Sequence, residues 1–506
     1  MADLEYWKRR DGVWGAPLWL RVGLVTVAVA LFTFRFSDRD LVSYVLDEPQ
    51  LQDAAQKDAL VGRWASINVL HGTQGKRYGP APLWFYTAVH RLAGPLPERS
   101  ILATTVLLTV AQLGLALALA RALSGGAVIF SVLVALLASS PYLFFWSRTG
   151  WDNPLLAAFV DGAVAVLLWG RRLSTWRGAL LGLLLGLGLS THLMAIPFTL
   201  AVLLVLGIET WRNRPAFVPF GVLVVVALAV NLPYLWALSR EPPSASRALE
   251  TWGGPFSALE RLGPALVEPA RVITAAGVDG FLDQAATPFR QDIGVWGWVM
   301  ESAPALSCVL MLLAVAGFLA AVKGPSPESR MLGALGLLVW GGHALFLGLP
   351  ALHREPHYQQ PTTWLVPAGC CALVMALLPR WRRAAQLLVG VLWVVALADV
   401  GFTKAWMDWV RAHGGTAGTH YSVPLSAQRK LLREACSSGR PNVALANFTL
   451  LFPHSLLSLA YTEPECSAKR LAICPGRCPA LDAQWTVLDV RYAAPPGGRL
   501  AVLVRQ

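Results

Sequence analysis

The chain has 506 residues, of which 55% are hydrophobic and only 14% are charged, and its mean hydropathy is +0.51. This composition excludes an ordinary soluble globular protein. The net charge of +12 would suit a protein that binds nucleic acid. The arginines, however, cluster in short turns between apolar runs, as in membrane proteins, and we therefore expect no nucleic-acid partner.

Continuous apolar runs are long enough to cross a bilayer, for example at 101–120, 217–238 and 303–322. Backbone groups in lipid must pair within the segment, so these runs predict helices, and their continuity argues against the short alternating strands of a barrel. The sequence predicts an α-helical polytopic membrane protein with about eleven spans. These predicted spans are 18–36, 100–121, 126–144, 154–170, 178–190, 194–207, 217–238, 296–322, 331–349, 361–378 and 386–402.

The distribution of basic residues predicts the orientation of these spans. The first span follows a basic segment at 8–10 and precedes no small-residue cleavage site, which indicates an uncleaved signal anchor with a cytoplasmic N-terminus. The short turns on that side carry most of the arginines, whereas the short outer turns carry only Arg148 and Arg354. Two long loops, 37–99 and 239–294, are then expected on the outer side.

Two adjacent carboxylates, Asp47 and Glu48, open the first outer loop. Acidic residues beside a membrane span are costly unless they lie in water or carry chemistry. One interpretation is a solvated acidic patch, and the other is a reactive centre. The pattern after them predicts amphipathic surface helices over 51–70 and 82–92, separated by an extended break at 78–82.

The last part of the chain, residues 403–506, has ordinary polarity and is expected to follow a membrane domain of residues 1–402. A helix over 426–436 and strands over 442–448, 485–491 and 500–504 predict a small α/β domain on the outer side. Its even number of cysteines suggests two disulfides of open pairing, with free thiols or a zinc site as alternatives. These cysteines are Cys436, Cys466, Cys474 and Cys478.

The order of first span, acidic pair, amphipathic helix and proline-containing break resembles the C-type (GT-C) glycosyltransferases, which use polyprenyl-phosphate sugars. This group includes protein O-mannosyltransferases and the aminoarabinose transferase of lipid A. The segment 78–83 is similar to the family's Gly-x-Pro-Pro-Leu-like stretch, with Ala81 in place of one proline. The segments 147–155 and 354–358 look like its second and late outer turns. The resemblance is good over residues 1–240 and loose beyond.

The resemblance implies a GT-C fold and an inverting sugar transfer on the outer face of the membrane. It implies Asp47 as the base that takes the acceptor proton, with Glu48 orienting the acceptor or holding Asp47. Cations on outer turns, His353 among them, would stabilise the departing polyprenyl phosphate. The expected substrate-binding residues are Tyr78, Arg148, Asp152, His192, Arg354, His357 and Tyr358.

The partners expected from this resemblance are a polyprenyl-phosphate sugar donor and an acceptor hydroxyl on a protein, lipid A or a glycolipid. The expected location is a bacterial inner membrane, with the C-terminal domain in the periplasm. We expect no catalytic metal and no cofactor, although a divalent metal that neutralises the phosphate stays open. The alternative functions are a transporter or flippase of lipid-linked sugars, an enzyme resembling O-antigen ligase, and a non-catalytic assembly protein.

Overall fold

Helices make up most of the structure, as expected for long apolar runs whose backbone groups must pair internally. The computed structural model describes residues 14, 17–44, 47–70, 77–170, 173–212, 216–240, 255–278, 286–348, 356–413, 424–437, 443–446, 459, 485–489 and 501–505.

The first half of the chain alternates between long apolar helices and shorter ones. A short 3-10 turn, Arg39–Leu41, separates the first helix from the acidic pair. The helices are α1 (Leu18–Phe34), α2 (Glu48–Leu60), α3 (Ala81–Ala93), α4 (Pro97–Ala122), α5 (Gly126–Ser139), α6 (Pro141–Trp146), α7 (Asn153–Leu168), α8 (Thr175–Thr191), α9 (Ala195–Arg212) and α10 (Phe217–Leu238).

The second half contains longer helices and, near the C-terminus, three strands. Two 3-10 turns, Ala275–Val278 and Pro356–Thr362, lie between the helices. The remaining elements are α11 (Pro255–Arg271), α12 (Ala286–Asp292), α13 (Val295–Val322), α14 (Pro327–Gly348), α15 (Leu365–Leu377), α16 (Arg382–His413), α17 (Leu425–Ser437), β1 (Val443–Ala446), β2 (Trp485–Asp489) and β3 (Ala501–Arg505).

Among the described residues, seven helical segments are long and apolar enough to cross a membrane. They are α4, α9, α10, α13, α14, α16 and the segment His357–Leu377, which includes α15. The shorter apolar helices α1, α5 and α7, together with α8, lie at the other predicted spans. Every predicted span therefore falls on a helix, while the count of eleven crossings stays a prediction.

Small residues bring α8 and α10 into close contact. A Cβ atom added to Gly178 or Gly182 would lie 2.3 Å from the backbone oxygen of Pro219 or Leu223 respectively. Membrane helices approach this closely only where one of them presents small residues. Gly178 and Gly182 thus allow α8 to pack directly against α10, and this packing positions the turn at the end of α8.

The first amphipathic helix is shorter than its sequence pattern predicts. The pattern over 51–70 indicates one helix, but α2 ends at Leu60 and a turn follows. Gly62 has a φ of +72°, a left-handed conformation that favours glycine and ends the helix. The second predicted surface helix, 82–92, is confirmed by α3.

The third predicted span, 126–144, is broken into α5 and α6. Pro141 lies in the first turn of α6, where a proline is tolerated, but it cannot continue α5. The hydroxyl of Ser140 accepts a hydrogen bond from the Leu143 amide at 3.1 Å and donates one to the Val272 carbonyl at 2.5 Å. The break thus caps α6 and ties it to the segment after α11.

The last long helix passes through the predicted domain boundary at 402–403. Phe402, Trp406 and Val410 are all buried and share one face of α16 at helical spacing. Their continuous apolar face extends the helix to His413, which places the change in chain character after that residue. The division into two domains stays a prediction.

The three strands form one antiparallel sheet in the order β1–β3–β2. Val443 pairs with Val504, and Trp485 pairs with Arg505. The strands and α17 overlap the segments in which they were predicted, whereas the outer location of this part stays a prediction. The predicted disulfides fall outside the described residues, as do Cys466, Cys474, Cys478 and the side chain of Cys436.

Candidate active site

The acidic pair lies at the start of α2. Asp47 is the residue before the helix and is half-buried, while Glu48 is the first helical residue and only 2% exposed. Pro49 follows in the first turn, where its missing N–H costs nothing. Burial raises the pKa of Asp47. Asp47 is therefore neither an ordinary solvated carboxylate nor sealed from the surface.

Glu48 and Gln52 hold one residue of a distant loop between them. They are four residues apart and share a face of α2. The Gly150 amide donates to Oε2 of Glu48 at 2.8 Å, and Nε2 of Gln52 donates to the Gly150 carbonyl at 2.7 Å. Glu48 therefore fixes the loop between α6 and α7, and its predicted role in catalysis stays a prediction. Sequence reasoning did not identify Gln52.

The same loop ends at Asp152, directly before α7. Asp152 is 1% exposed, and neither of its carboxylate oxygens has a hydrogen-bond partner among the described residues. The side-chain amide of Asn153 is also buried and lacks a partner there. Burial, followed by the nearby charge of Asp47, raises the pKa of Asp152. Buried polar groups are normally satisfied, so these atoms are suited to hold a ligand.

Aromatic and imidazole rings from four separate segments meet beside these acids. The ring centroids of Tyr78 and His192 are 4.6 Å apart, and those of His192 and Tyr358 are 5.6 Å apart. His357 lies 4.5 Å from Tyr358 and 5.3 Å from Trp151 between ring centroids. Four predicted site residues, Tyr78, His192, His357 and Tyr358, are thus brought together from three separate segments.

Tyr78 connects this ring cluster to the acids. Burial raises its pKa, and the charges of Asp152 and Asp47 raise it further. Gly79 allows the chain to pass close to α8, because a Cβ there would lie 2.4 Å from the Ser190 carbonyl oxygen. The Ser190 hydroxyl also accepts a hydrogen bond from the Ala81 amide at 3.2 Å. The break at 78–82 thus positions Tyr78 over the end of α8.

His192 is uncharged at neutral pH. Burial lowers its pKa to about 3, since a charged imidazole is disfavoured away from water. Its Nδ1 accepts a hydrogen bond from the Met194 amide at 3.2 Å. Burial thus disfavours the positive charge expected of His192, and its part in substrate binding stays a prediction.

Of the two arginines predicted to bind phosphate, the structure describes only Arg148. Arg148 is 2% exposed; it donates to the backbone oxygen of Asp38 and, at 3.7 Å, to Sδ of Met407, and it lies 4.4 Å from the Phe144 ring centroid. These contacts join the chain after α1 to α16. Binding of phosphate by Arg148 stays a prediction. Arg354 and His353 lie outside the described residues.

A tyrosine that sequence reasoning missed supports the loop. Tyr86 of α3 is fully buried, and its hydroxyl donates to the Trp151 carbonyl at 2.5 Å and lies 3.2 Å from the Thr104 hydroxyl. The loop is thereby held from α2 through Gly150 and from α3 through Trp151. No group of three His, Cys, Asp or Glu side chains in the described ranges is arranged to hold a metal ion.

The segment that leads to Asp47 is held by α17. The Leu425 amide donates to the Val42 carbonyl at 2.8 Å, and Nε2 of Gln428 donates to the Tyr44 carbonyl at 3.1 Å. Four residues after Leu425, on the same face of α17, Nη2 of Arg429 donates to Glu98 at 2.7 Å in an ion pair. The C-terminal part of the chain therefore contributes to the position of the acidic pair.

Comparison with known proteins identifies neighbours by structure only. No protein-family model matches the sequence, and no curated protein matches it. The crystal structure of ArnT from Cupriavidus metallidurans in the apo state has a TM-score of 0.53 and 13% identity, over 96% of this chain and 97% of that one. The structure of ArnT bound to undecaprenyl phosphate has a TM-score of 0.50 and 14% identity, over 92% and 87%.

An archaeal oligosaccharyltransferase, AglB from Archaeoglobus fulgidus, in complex with an inhibitory peptide and a dolichol-phosphate, is a more distant neighbour. It has 12% identity over 92% of this chain and 61% of its own, and its TM-score of 0.46 is too low to support an argument. At identities this low, the ArnT likeness establishes the fold and not the activity. The chain has the GT-C glycosyltransferase fold of ArnT, an aminoarabinose transferase, as its sequence motifs predict.

Proposed function

We propose that the protein is an inverting glycosyltransferase that moves a sugar from a polyprenyl-phosphate donor to an acceptor hydroxyl. The observation that carries this proposal is the group of carboxylates at the half-buried Asp47 and the buried Glu48 and Asp152, all three of which lie in segments that the family's motifs mark. The fold supports a lipid-phosphate donor, since an ArnT structure with this fold is bound to undecaprenyl phosphate.

In the proposed reaction, the acceptor oxygen attacks the anomeric carbon from the side opposite the phosphate. The new carbon–oxygen bond forms as the bond from the anomeric carbon to the phosphate oxygen breaks, and polyprenyl phosphate leaves with that electron pair. Asp47 takes the acceptor proton, for which a pKa raised towards neutrality is favourable. A single displacement of this kind inverts the anomeric configuration.

Glu48 and Asp152, the two carboxylates near Asp47, would have different roles. Glu48 is engaged by the Gly150 amide, so it positions the loop beside Asp47. Asp152 and Asn153 present buried polar atoms that are unpartnered among the described residues, and they would bind hydroxyls of the sugar or the acceptor. Ligand binding would then supply the missing hydrogen bonds.

The rings of Tyr78, His192, His357 and Tyr358 would form the wall of the sugar site. Neutral rings suit an uncharged or weakly polar ligand surface better than a phosphate. Charge on the leaving phosphate needs a cation, and Arg354 on the neighbouring outer turn is our candidate, with Arg148 as second choice.

We place this site at the outer, periplasmic face of a bacterial inner membrane, on the basis of the arginine distribution in the inner turns. A protein hydroxyl, lipid A and a glycolipid are the candidate acceptors. A flippase of lipid-linked sugars is the rival function, and it differs in one respect that can be measured: it leaves the sugar–phosphate bond intact.

The experiment supplies purified protein in proteoliposomes with radiolabelled polyprenyl-phosphate sugars and measures released polyprenyl phosphate. Asp47→Asn should reduce release by about 100-fold or more, because the proton acceptor is lost. Asp53→Asn is the matched control, since Asp53 lies on the same helix and pairs at the surface with Lys57. Transport without bond cleavage, or equal release by Asp47→Asn and wild type, would overturn the proposal.

A further inference from the structure

The first turn of α17 lies against residues 40–44, the chain that leads to the proposed base. The Leu425 amide donates to the Val42 carbonyl at 2.8 Å, and the Ser426 hydroxyl donates to the Asp40 carbonyl. These contacts reach backbone groups on both sides of residue 41. The helix therefore holds the course of this segment rather than touching it at one point.

Gln428 makes the contact of α17 that lies nearest to Asp47 along the chain. Its side chain is 1% exposed, and its Nε2 donates to the carbonyl of the fully buried Tyr44 at 3.1 Å. Three peptide steps join Tyr44 to Asp47, a span of at most about 10 Å. A buried carbonyl is costly to leave without a donor, so the position of the Gln428 amide constrains the backbone close to Asp47.

The start of the same segment has a strained backbone. Asp38 has a φ of +46°, a left-handed conformation that is uncommon for residues other than glycine. Such a conformation persists only where neighbouring contacts impose it. Here Arg411 of α16 pairs with Oδ1 of Asp38 at 2.5 Å, and Arg148 donates to its backbone oxygen. Contacts with distant parts of the chain, not local preference, therefore set the path of residues 38–44.

Helix α17 is itself anchored to a long apolar helix. The Arg429 guanidinium makes two contacts with the Glu98 carboxylate, from Nε to Oε1 and from Nη2 to Oε2, the second at 2.7 Å. Glu98 lies in the first turn of α4. A two-point contact fixes orientation as well as distance, and Leu425 and Leu432 are buried. The helix is therefore a fixed support for Gln428.

We propose that Gln428 is a positioning residue for the base Asp47 in the proposed sugar transfer, on which this inference rests. The Gln428 amide fixes the Tyr44 carbonyl, and the short chain after Tyr44 carries that position to the Asp47 carboxylate. In this role Gln428 touches no substrate, and it acts on the transfer step only through Asp47. After Asp47 in the chain, Glu48 holds the Gly150 amide, so the base is fixed from both directions.

The first test measures single-turnover cleavage of radiolabelled polyprenyl-phosphate glucose and mannose by the full-length protein in proteoliposomes. Gln428→Met keeps an unbranched side chain but removes the N–H donor. It should slow cleavage by about tenfold with unchanged donor affinity, since a displaced base weakens only the transition state. In the Asp47→Asn background the same substitution should cause no further loss, because the two residues act as a unit.

A matched control separates this effect from a general change in α17. Lys430 is exposed on the same helix, and Lys430→Met should keep the parent rate in the wild-type and in the Asp47→Asn background. A residue that supports only the fold would slow both backgrounds alike. The ratio of the two losses therefore distinguishes positioning of Asp47 from a structural role.

The second test is independent of catalysis. Hydrogen–deuterium exchange of the full-length protein in detergent measures how firmly residues 41–52 are held. Gln428→Met should speed exchange in this segment by about fivefold, because local opening becomes easier, whereas Lys430→Met should not change it. Unchanged exchange over the buried helix α5 would show that the variant is folded.

Three results would overturn the proposal. One is a wild-type cleavage rate in Gln428→Met. The second is an equal loss of rate in the Asp47→Asn background. The third is unchanged exchange over residues 41–52. The absence of cleavage by the wild-type protein would instead overturn the proposed function, and the exchange measurement would still decide whether Gln428 holds this segment.

Discussion

Two buried aspartates, one directly before α7 and one within it, differ in their charged neighbours. Asp152 lies at the start of α7, beside another acid, and its charge is disfavoured both by burial and by Asp47. Asp161 lies in the middle of α7 and is also fully buried, but the guanidinium of Arg35 acts favourably on its charge and Gln112 lies beside it. Nη1 of Arg35 in turn donates to Oε1 of Gln112 at 2.6 Å.

The comparison shows how a polar residue inside a membrane protein can be interpreted. Intramembrane acids are functional candidates by default, yet a buried acid with a buried cation nearby is explained by the packing of the helices that carry them. Arg35 follows α1, Gln112 lies on α4, and Asp161 lies on α7, so this group joins three helices. Within the described part of the chain no cation acts on the charge of Asp152, and we propose a ligand as its partner.

The largest effect is expected on stability, at the buried residues Arg35 and Asp161. Arg35→Met removes the guanidinium that donates to Gln112 and acts favourably on the buried Asp161 carboxylate, and it should lower the free energy of unfolding by about 3 kcal/mol. Denaturant titration in mild detergent measures this loss. Arg35→Met combined with Asp161→Asn should recover much of it, because removing both charges is far less costly than removing one. Equal losses in the single and double variants would contradict the pairing.

At Asp152, a substitution should lower activity but should not lower the free energy of unfolding. Asp152→Asn removes the carboxylate proposed to bind sugar or acceptor and should lower kcat/KM by about 30- to 100-fold. Burial raises the pKa of Asp152 above its unfolded value, so the carboxylate disfavours folding at neutral pH and its removal relieves that cost. Steady-state kinetics and thermal unfolding measure the two effects. A destabilised Asp152→Asn protein with normal kinetics would reverse the comparison.

The smallest effect is expected at Gln52, which holds the loop between α6 and α7. Gln52→Leu removes the donor to the Gly150 carbonyl and leaves that oxygen unsatisfied, at a cost of about 1 kcal/mol. We expect a roughly fivefold fall in kcat and a fall of about 1 kcal/mol in the free energy of unfolding. Gln50→Leu is the control, because Gln50 is exposed on the same helix. Equal kinetics for the two variants would show that the contact does not position the site.

Much of the architecture was predictable, since long apolar runs have few alternatives to helices in a bilayer. Two of the differences had visible causes in the sequence: Gly62 ends α2, and Ser140-Pro141 breaks the third span. The extension of α16 was also visible, since Trp406 and Val410 continue its apolar face at helical spacing.

The candidate site was less predictable. The acidic pair and the outer turns follow from local motifs, but Gln52 and Tyr86 act only because α2 and α3 pack against a loop far along the chain. Such tertiary contacts leave no local pattern. The charge state of His192 depends on burial, which its neighbours in sequence do not reveal.

The central claim is that Asp47 is the proton acceptor, and the pH dependence of donor cleavage under single-turnover conditions tests it most directly. Burial raises the pKa of Asp47, so cleavage should decline as the pH falls through a value above the usual range of an aspartate, by about tenfold per pH unit. In Asp47→Asn this decline at low pH should vanish, and cleavage should be slow and independent of pH. The Asp53→Asn variant should keep the wild-type dependence on pH. The same decline at low pH in Asp47→Asn would contradict the assignment of Asp47 as the proton acceptor.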